Sequence, residues 1–199
     1  FEGGGHPHDH AAGAGGDHLH DDAAAGAGAE ERAPADGFER TFFTVLANLL
    51  VGIAVSLILL ALMTLWGRRI DARQGVLWGA AGFVSASLLP ALGLPPELPG
   101  TPAGPLVDRQ IWWLMTAVAS GGGIALIALG GHWVAKAAGV ALLVLPHAIG
   151  APVPPSHDVP YPGALAGEFV IASLVVSAVL WTVAGVSAGW LYQRLALRT

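Results

Sequence analysis

Four long stretches of this sequence contain no Asp, Glu, Lys or Arg, and they constrain the fold more than any other feature. They have 21 to 27 residues each and cover 41–67, 74–94, 110–131 and 169–192. A helix needs about 20 mostly apolar residues to cross a bilayer. A core helix of a soluble protein would also need a polar face, and these stretches have none. The sequence therefore predicts an all-α, polytopic membrane protein built as a helical bundle.

We predict five transmembrane helices, the fourth of which has Lys136 near its start and Pro146 near its end. Pro146 is expected to break the final turn of that helix. The predicted spans are about 41–66, 74–94, 110–131, 134–151 and 165–192. The predicted domains are an extracytoplasmic arm (1–37), a transmembrane helical domain (38–194) and a cytoplasmic tail (195–199).

The orientation of the bundle follows from its basic residues. Six of the nine Lys and Arg residues lie at one end of the predicted spans, and only one of the chain's fourteen acidic residues, Asp71, lies there with them. The positive-inside rule makes this end cytoplasmic, which leaves the arm outside. An arm outside the membrane needs a signal or an earlier span, so we expect a further span before Phe1, six in all. The basic residues in question are Arg68, Arg69, Arg73, Lys136, Arg194 and Arg198.

The arm combines imidazoles and carboxylates in a tract with hardly any large apolar residue. Such a composition favours a flexible segment. The chain has no cysteine, and imidazole with carboxylate suits Co²⁺, Ni²⁺ or Zn²⁺. We interpret the arm as a device that concentrates metal outside the cytoplasm, against the alternative of a merely solvated polar tract. The candidate metal ligands are His6, His8, His10, Asp17, His18, His20, Asp21 and Asp22.

A second group of polar residues is predicted at one depth near the outer leaflet. Ionisable groups at that depth normally pair or face a cavity. Glu97 and His147 are the candidate metal ligands here, although His147 could equally donate to a carbonyl freed by the neighbouring proline. Arg109 is expected to pair with an acid. The full group is Asn48, Glu97, Asp108, Arg109, His147 and Glu168, next to Trp112 and Trp113, which we interpret as interfacial anchors.

Glycines indicate close helix packing. Gly75-x-x-x-Gly79 and Gly185-x-x-x-Gly189 are small-residue patterns that allow helices to approach closely. The run 121–123 consists of three glycines in the middle of a span. It is typical either of a crowded helix crossing or of a break that exposes backbone carbonyls.

Several function classes lack support in the sequence. It contains no phosphate-binding G-x-x-x-x-G-K-[ST] loop and no H-E-x-x-H pattern. Its cytoplasmic basic residues are too few and too dispersed for nucleic-acid recognition. We predict no catalytic residue, no prosthetic group and no enzymatic activity.

Several runs in the second half of the chain resemble one known family. They are L-G-L-P-P-E-L-P-G at 92–100, R-Q-x-W-W at 109–113, L-P-H-x-I-G-A-P at 145–152 and A-G-W-L-Y at 188–192. Together with P-x-D-G-x-x-R-T at 34–41, they resemble the CbtA family of predicted cobalt transporter subunits. The resemblance implies a bacterial cytoplasmic membrane, cobalt uptake linked to cobalamin supply, a first span ahead of the arm, and a small His-rich single-span companion, CbtB.

Two hypotheses for the function follow. The first is a subunit of a divalent-metal uptake transporter, in which the arm captures the ion and the bundle passes it inward. The alternative is a non-transporting structural subunit of a larger bacterial membrane complex. The ligand types alone leave the metal open, and cobalt comes from the resemblance.

Overall fold

Helices are the regular secondary structure of the described part of the chain. A computed structural model describes residues 37–67, 70–156 and 158–196, of which 79% are helical and none forms a strand. The all-α prediction is thus confirmed for these residues, whereas nearly all of the predicted arm lies outside them. The elements are α1 (Phe38–Trp66), α2 (Ala72–Phe83), a π-helical segment (Val84–Leu88), α3 (Leu89–Ala91), α4 (Leu106–Leu129), α5 (Trp133–Ile149) and α6 (Gly163–Ala196).

Three of the helices are long and apolar enough to cross a membrane, judged by length and composition. They are Phe38–Trp66, Leu106–Leu129 and Gly163–Leu195. Trp133–Ile149 is a shorter apolar helix. The predicted second span is a continuous helical run from Ala72 to Ala91 that is divided by the π-helical segment. Its longest α-helical part has only 12 residues.

The helix ends have local causes in the sequence. Gly67 ends α1 in the left-handed conformation, with φ 68°, which glycine adopts without strain. Asp71 begins α2 by accepting a hydrogen bond from the backbone N–H of Gln74 at 2.8 Å. The short turn between the two helices therefore carries both a stop and a start signal. Among the larger departures from the predicted bounds, α4 begins at Leu106 rather than at 110 and α6 ends at Ala196 rather than at 192.

The helices pack in a row whose order differs from their order in the chain. α6 packs between α1 and α2, the π-helical segment and α3 pack on α4, and α4 packs on α5. α1 and α5 therefore lie at opposite ends of the row. Consecutive helices run in opposite directions, so the loops 92–105 and 150–162 share one end, which we call the loop end.

The contact between α2 and α6 depends on glycine. A Cβ added to Gly75 would lie 2.3 Å from the carbonyl oxygen of Gly185, and one added to Gly189 would lie 2.7 Å from that of Asp71. Real side chains do not come so close to backbone atoms. The two predicted small-residue patterns thus pack against each other, which confirms their interpretation.

The glycine run 121–123 lies inside the continuous helix α4, so the interpretation as a helix break is wrong. Gly123 instead faces Gly139 of α5. A Cβ added to Gly123 would lie 2.7 Å from the carbonyl oxygen of Gly139, and one added to Gly139 would lie 2.6 Å from that of Gly123. The interpretation as a crowded helix crossing is confirmed for Gly123 alone, since a Cβ on Gly121 or Gly122 would have its nearest neighbour at 3.7 or 3.9 Å.

The prediction that Pro146 breaks α5 is also wrong. The helix continues to Ile149, and the N–H of Gly150 still donates to the Pro146 carbonyl at 3.1 Å. Pro146 lacks an N–H and so removes a single hydrogen bond, the one to the carbonyl of Leu142. It is itself buried. Loss of one bond in the last turn, offset by burial of the ring, does not end the helix.

The π-helical segment ends at Leu88, two residues before Pro90. In an α-helix the ring of Pro90 would clash with the carbonyl of Ala86, four residues earlier. The backbone widens instead, and the N–H of Leu89 donates to the carbonyl of Val84, five residues earlier. Because Pro90 has no N–H, neither Ser85 nor Ala86 receives a hydrogen bond from residue 90. π-Helical turns of this kind occur frequently at functional sites.

Candidate functional site

The two loops at the loop end pack on each other. The Thr101 hydroxyl forms a short hydrogen bond with the Tyr161 hydroxyl and also donates to the Leu98 carbonyl at 2.5 Å. Gly104 is buried, and a Cβ on it would lie 3.3 Å from the Val153 carbonyl oxygen. The loops therefore form a fixed scaffold for the charged side chains beside them.

One ion pair links this scaffold to α4. Nη2 of Arg109 donates to Oε2 of Glu97 at 2.9 Å, and the side chains are 28% and 26% exposed. The expectation that Arg109 pairs with an acid is confirmed, with Glu97 as its partner. Asp108 is exposed in the first turn of α4, where its charge complements the helix dipole. Glu168 is exposed on α6.

The ion pair lines a cavity of about 670 Å³. Its apolar walls come mainly from α4, with Leu106 and Leu114, and from α6, with Leu174. The polar side chains that line it are Glu97, Arg109, Gln110, Ser87, Ser173 and Ser177. Charged groups thus occur at the loop side of the cavity, and hydroxyl groups line its α6 side.

A hydrogen-bonded cluster joins the π-helical segment to α6 at this cavity. The Ser87 and Ser177 hydroxyl oxygens lie 2.7 Å apart. The indole Nε1–H of Trp181 donates to the Ser87 oxygen at 3.2 Å. Ala86, whose carbonyl receives no hydrogen bond from Pro90, also lines the cavity. The cavity wall therefore combines two hydrogen-bonded hydroxyl groups with a residue, Ala86, whose carbonyl lacks its usual helical donor.

His147 lies elsewhere, at the interface between α4 and α5. Its ring meets the ring of Trp112 edge-on, with centroids 5.9 Å apart. Nε2 of His147 and Nε1 of Trp112 are both buried, and neither has a hydrogen-bond partner among the residues that the structure describes. An unpaired buried polar atom is costly. The two ring nitrogens could therefore each form a hydrogen bond with a water molecule or a ligand.

The interpretation of Trp112 as an interfacial anchor is wrong. Its side chain is 5% exposed and packs where Gly93 leaves room, since a Cβ on Gly93 would lie 2.4 Å from the indole ring. Trp113, by contrast, is 42% exposed and lines the cavity. One member of the Trp pair therefore belongs to the core and the other to the site.

The predicted metal ligands have different outcomes. Glu97 lines the cavity and is paired with Arg109, whereas His147 is not among the residues that line this cavity. Within the described ranges no three His, Cys, Asp or Glu side chains are close enough to hold a metal together. Both therefore remain predictions as ligands. The candidates in the arm lie outside the described residues: His6, His8, His10, Asp17, His18, His20, Asp21 and Asp22.

The serine cluster was not predicted from the sequence, although signals for it exist. Ser173 and Ser177 are one helical turn apart in a span and so share a face. Pro90 inside a predicted span indicates a local rearrangement of the helix. That these two signals belong to one site follows only from the contact between the π-helical segment and α6.

Comparison with known proteins identifies a family. A family model described as "Probable cobalt transporter subunit (CbtA)" matches residues 1–193, nearly the whole chain. No match was found among curated proteins or among solved structures. The resemblance derived from the sequence runs is thereby confirmed.

Proposed function

Because the chain belongs to the CbtA family of probable cobalt transporter subunits, we propose that it forms part of the route by which cobalt crosses a bacterial inner membrane. The family and the apolar helices together place the protein in a membrane. A transporter subunit is not a class of enzyme. The family match carries the proposal, and the cavity at Glu97 supplies a place where the ion can enter.

We propose five membrane crossings in the described chain, with the arm outside and the C-terminus in the cytoplasm. The second of these crossings is the continuous helical run from Ala72 to Ala91, although α2 by itself is too short to span a bilayer. Basic residues on the side of the bundle opposite the loop end support the orientation, since Arg73, Lys136 and Arg194 all lie there. Glu97 and Glu168 lie at the loop end.

The first proposed step is capture of the ion by the arm. A tract of imidazoles and carboxylates binds divalent cations weakly and raises their concentration next to the membrane. Cobalt is the ion that the family suggests, and neither nickel nor zinc has support beyond the ligand types. A small His-rich companion of the CbtB type is the partner we propose, and the word "subunit" in the family's description supports a partner in general.

Deleting residues 1–22 tests the capture step. We expect uptake to fall at limiting cobalt and to be unchanged at saturating cobalt, because the arm changes local concentration and not the crossing itself. The measurement is the concentration dependence of radioactive cobalt uptake into cells. A matched control replaces the same segment with a Gly/Ala tract of equal length. Unchanged uptake at limiting cobalt would contradict the capture step.

The second proposed step is entry into the cavity. A divalent cation that reaches Glu97 meets Arg109, whose fixed positive charge repels it. The Glu97–Arg109 ion pair must therefore open, so that the carboxylate exchanges one cation for another. Both side chains are about a quarter exposed, so an incoming ion can reach the carboxylate at the cavity.

The third proposed step is passage along the oxygen atoms next to the π-helical segment. Interrupted membrane helices use freed backbone carbonyls to coordinate cations. The hydroxyls of Ser87 and Ser177 offer oxygens at the cavity, and Ala86, which also lines it, has a carbonyl that receives no hydrogen bond from Pro90. These ligands are neutral, so they can replace part of the hydration shell without holding the ion tightly.

His147 remains a proposed ligand at the loop end. Its buried Nε2 is available only if the indole ring of Trp112 moves, since the two rings are in contact. We expect His147→Ala to lower cobalt uptake into proteoliposomes about fivefold, equivalent to about 1 kcal/mol. His132→Ala is the matched control, because His132 is exposed at the start of α5, at the end of that helix opposite to His147. Equal uptake by the two variants would remove His147 from the route.

The alternative is a non-transporting structural subunit, and the open row of helices favours it as a second candidate. In the part of the chain that is described, α1 and α5 stand at opposite ends, so these helices form a row and not a closed ring. Reconstitution distinguishes the two functions. Uptake of radioactive cobalt by proteoliposomes that contain the chain, with or without its companion, supports a permease subunit. No uptake by folded, inserted protein in either sample supports the structural function.

A further inference from the structure

Three buried polar side-chain atoms have no hydrogen-bond partner within the described part of the chain, and all three lie where α4 meets α5. They are Nε1 of Trp112, Oγ of Ser120 and Nε2 of His147. Trp112 and Ser120 are on α4 and are 5% and 0% exposed, and His147 is on α5 against the Trp112 ring. An unpaired polar atom that is closed off from water is costly. The cost is therefore concentrated at one helix interface.

The positions along α4 place these groups on the side that packs on α5. Gly123 marks that side, because a Cβ on it would approach the carbonyl oxygen of Gly139. At about 100° per residue, Trp112 lies about 20° around the helix from Gly123, and Ser120 about 60° from it. Both polar groups therefore belong to the contact between α4 and α5.

The hydroxyl of Ser120 differs from several other hydroxyls in the helices. Those of Ser56, Ser85 and Thr116 each donate to the backbone carbonyl four residues earlier, which satisfies a serine or threonine inside a helix. Ser120 forms no such bond although it is fully buried. Its hydroxyl therefore has a donor to spare in a place that water does not reach.

α4 and α5 form a hairpin that is held together at the end opposite the loop end. Residues 130–132 join the two helices, and their backbones are in close contact at Gly123 and Gly139. The three unpaired atoms all lie on the loop-end side of this crossing. In the part of the chain that is described, α4 is the one helix on which α5 packs extensively. After α5, Gly150 has φ 92°, and a Cβ on it would meet nothing within 4 Å, so the chain can turn there.

We propose that α5 separates from α4 at the loop end, with the Gly123–Gly139 crossing as the pivot, and that the opening admits water to the unpaired atoms. Exposure of the apolar part of the interface opposes the opening, whereas hydration of three polar atoms favours it. The two effects bring the closed and open forms closer in free energy. In the open form Nε2 of His147 can bind a ligand. The consequence for cobalt rests on the proposed function, but the opening itself does not.

Cysteine labelling in membranes tests the opening, because the chain contains no cysteine. Ser120→Cys is expected to react with a small, positively charged methanethiosulfonate about tenfold faster than Ser85→Cys. Ser85 is the matched control, because its Oγ lies 3.7 Å from a Cβ built on Gly121 and so is at a similar depth, but on the π-helical segment. Ser85 is 9% exposed and Ser120 0%, so an interface that stays closed predicts the opposite order. Thr116→Cys, also 0% exposed, is the second probe in case Ser120→Cys does not fold.

Thermal stability provides the second arm of the test. Ser120→Ala removes the unpaired hydroxyl from the closed form, so the midpoint of unfolding in detergent is expected to rise by about 2–4 °C. Ser85→Ala removes a hydroxyl that donates to the Ala81 carbonyl at 2.7 Å, and its midpoint is expected to stay the same or fall. Neither arm involves cobalt, so both remain informative if the proposed function fails.

Three results would overturn the proposal. Labelling of Ser85→Cys as fast as Ser120→Cys would indicate a general loosening of the bundle and not an opening between α4 and α5. Absence of labelling of both Ser120→Cys and Thr116→Cys, with folded protein in the membrane, would show that the interface stays closed. A lower midpoint for Ser120→Ala would show that the hydroxyl stabilises the closed form.

Discussion

Gly185→Ala is expected to destabilise the protein by about 1–3 kcal/mol, the usual range for overpacking. The added Cβ would lie 2.3 Å from the Gly75 carbonyl oxygen and 2.9 Å from backbone atoms of Gly79. Backbone atoms cannot turn away as a flexible side chain can, so α2 and α6 must separate. For a chain of this size, such a loss lowers the thermal midpoint by about 2–4 °C per kcal/mol. The midpoint of unfolding in detergent measures it.

Gly167→Ala is the matched control for this prediction. It places the same methyl group on the same helix, at a position where the Cβ meets nothing within 4 Å. Alanine is favoured over glycine inside a helix by about 1 kcal/mol, so the control is expected to be neutral or slightly stabilising. If both variants unfold at the same temperature, the close contact between α2 and α6 is not what requires glycine at 185.

The effect should extend beyond the crossing itself. α6 is next to both α1 and α2 in the row, so a shift of α6 moves it relative to both neighbours. It should also weaken the hydrogen bonds that join Ser87 to Ser177 and Trp181. Gly185→Ala is therefore expected to reduce cobalt uptake as well as stability, whereas Gly167→Ala should reduce neither.

The helical segments could be predicted because a charge inside a bilayer is costly wherever it occurs. The absence of charge is a local property of the sequence, and it indicated α1 and α6 within a few residues. Asp71 and Gly67 also act locally, as a cap and a stop. Neither depends on which helices become neighbours.

Which helices pack against each other could not be predicted from the sequence. The two small-residue patterns around Gly75 and Gly185 were recognised separately, but nothing in the sequence stated that they pack against each other. The same limitation explains the error at Trp112. An aromatic residue near a predicted helix end usually lies at the membrane interface, and only the space left by Gly93 shows that this one is buried.

The site was predicted in part for a related reason. An acid partner for Arg109 was expected because ionisable groups at that depth pair, and the observed partner is Glu97. The separation of Glu97 from His147 could not be predicted from the sequence, because it depends on the order of the helices in the row. His147 packs with α4 on the α5 side, while Glu97 lies at the cavity beside α6.

Glu97→Gln is expected to lower cobalt uptake into proteoliposomes about 30-fold, equivalent to about 2 kcal/mol for the loss of one charged ligand. The carboxylate is the one anionic group among the residues that line the cavity. Its removal also leaves the charge of Arg109 uncompensated, which repels the entering ion further. Asp108→Asn is the matched control, since it removes the same charge from an exposed position at the same end.

A double variant separates the loss of a ligand from the effect of the uncompensated Arg109 charge. In Glu97→Gln/Arg109→Gln the net charge of the pair is zero, as in the native protein, but the carboxylate is missing. If Glu97 is a ligand for the entering ion, uptake stays low in the double variant. Arg109→Gln alone should then bind cobalt at least as tightly as the native chain, because the competing cation is gone. Recovery of uptake in the double variant would instead mean that Glu97 serves only to neutralise Arg109, and the entry step would have to be assigned to other groups of the cavity.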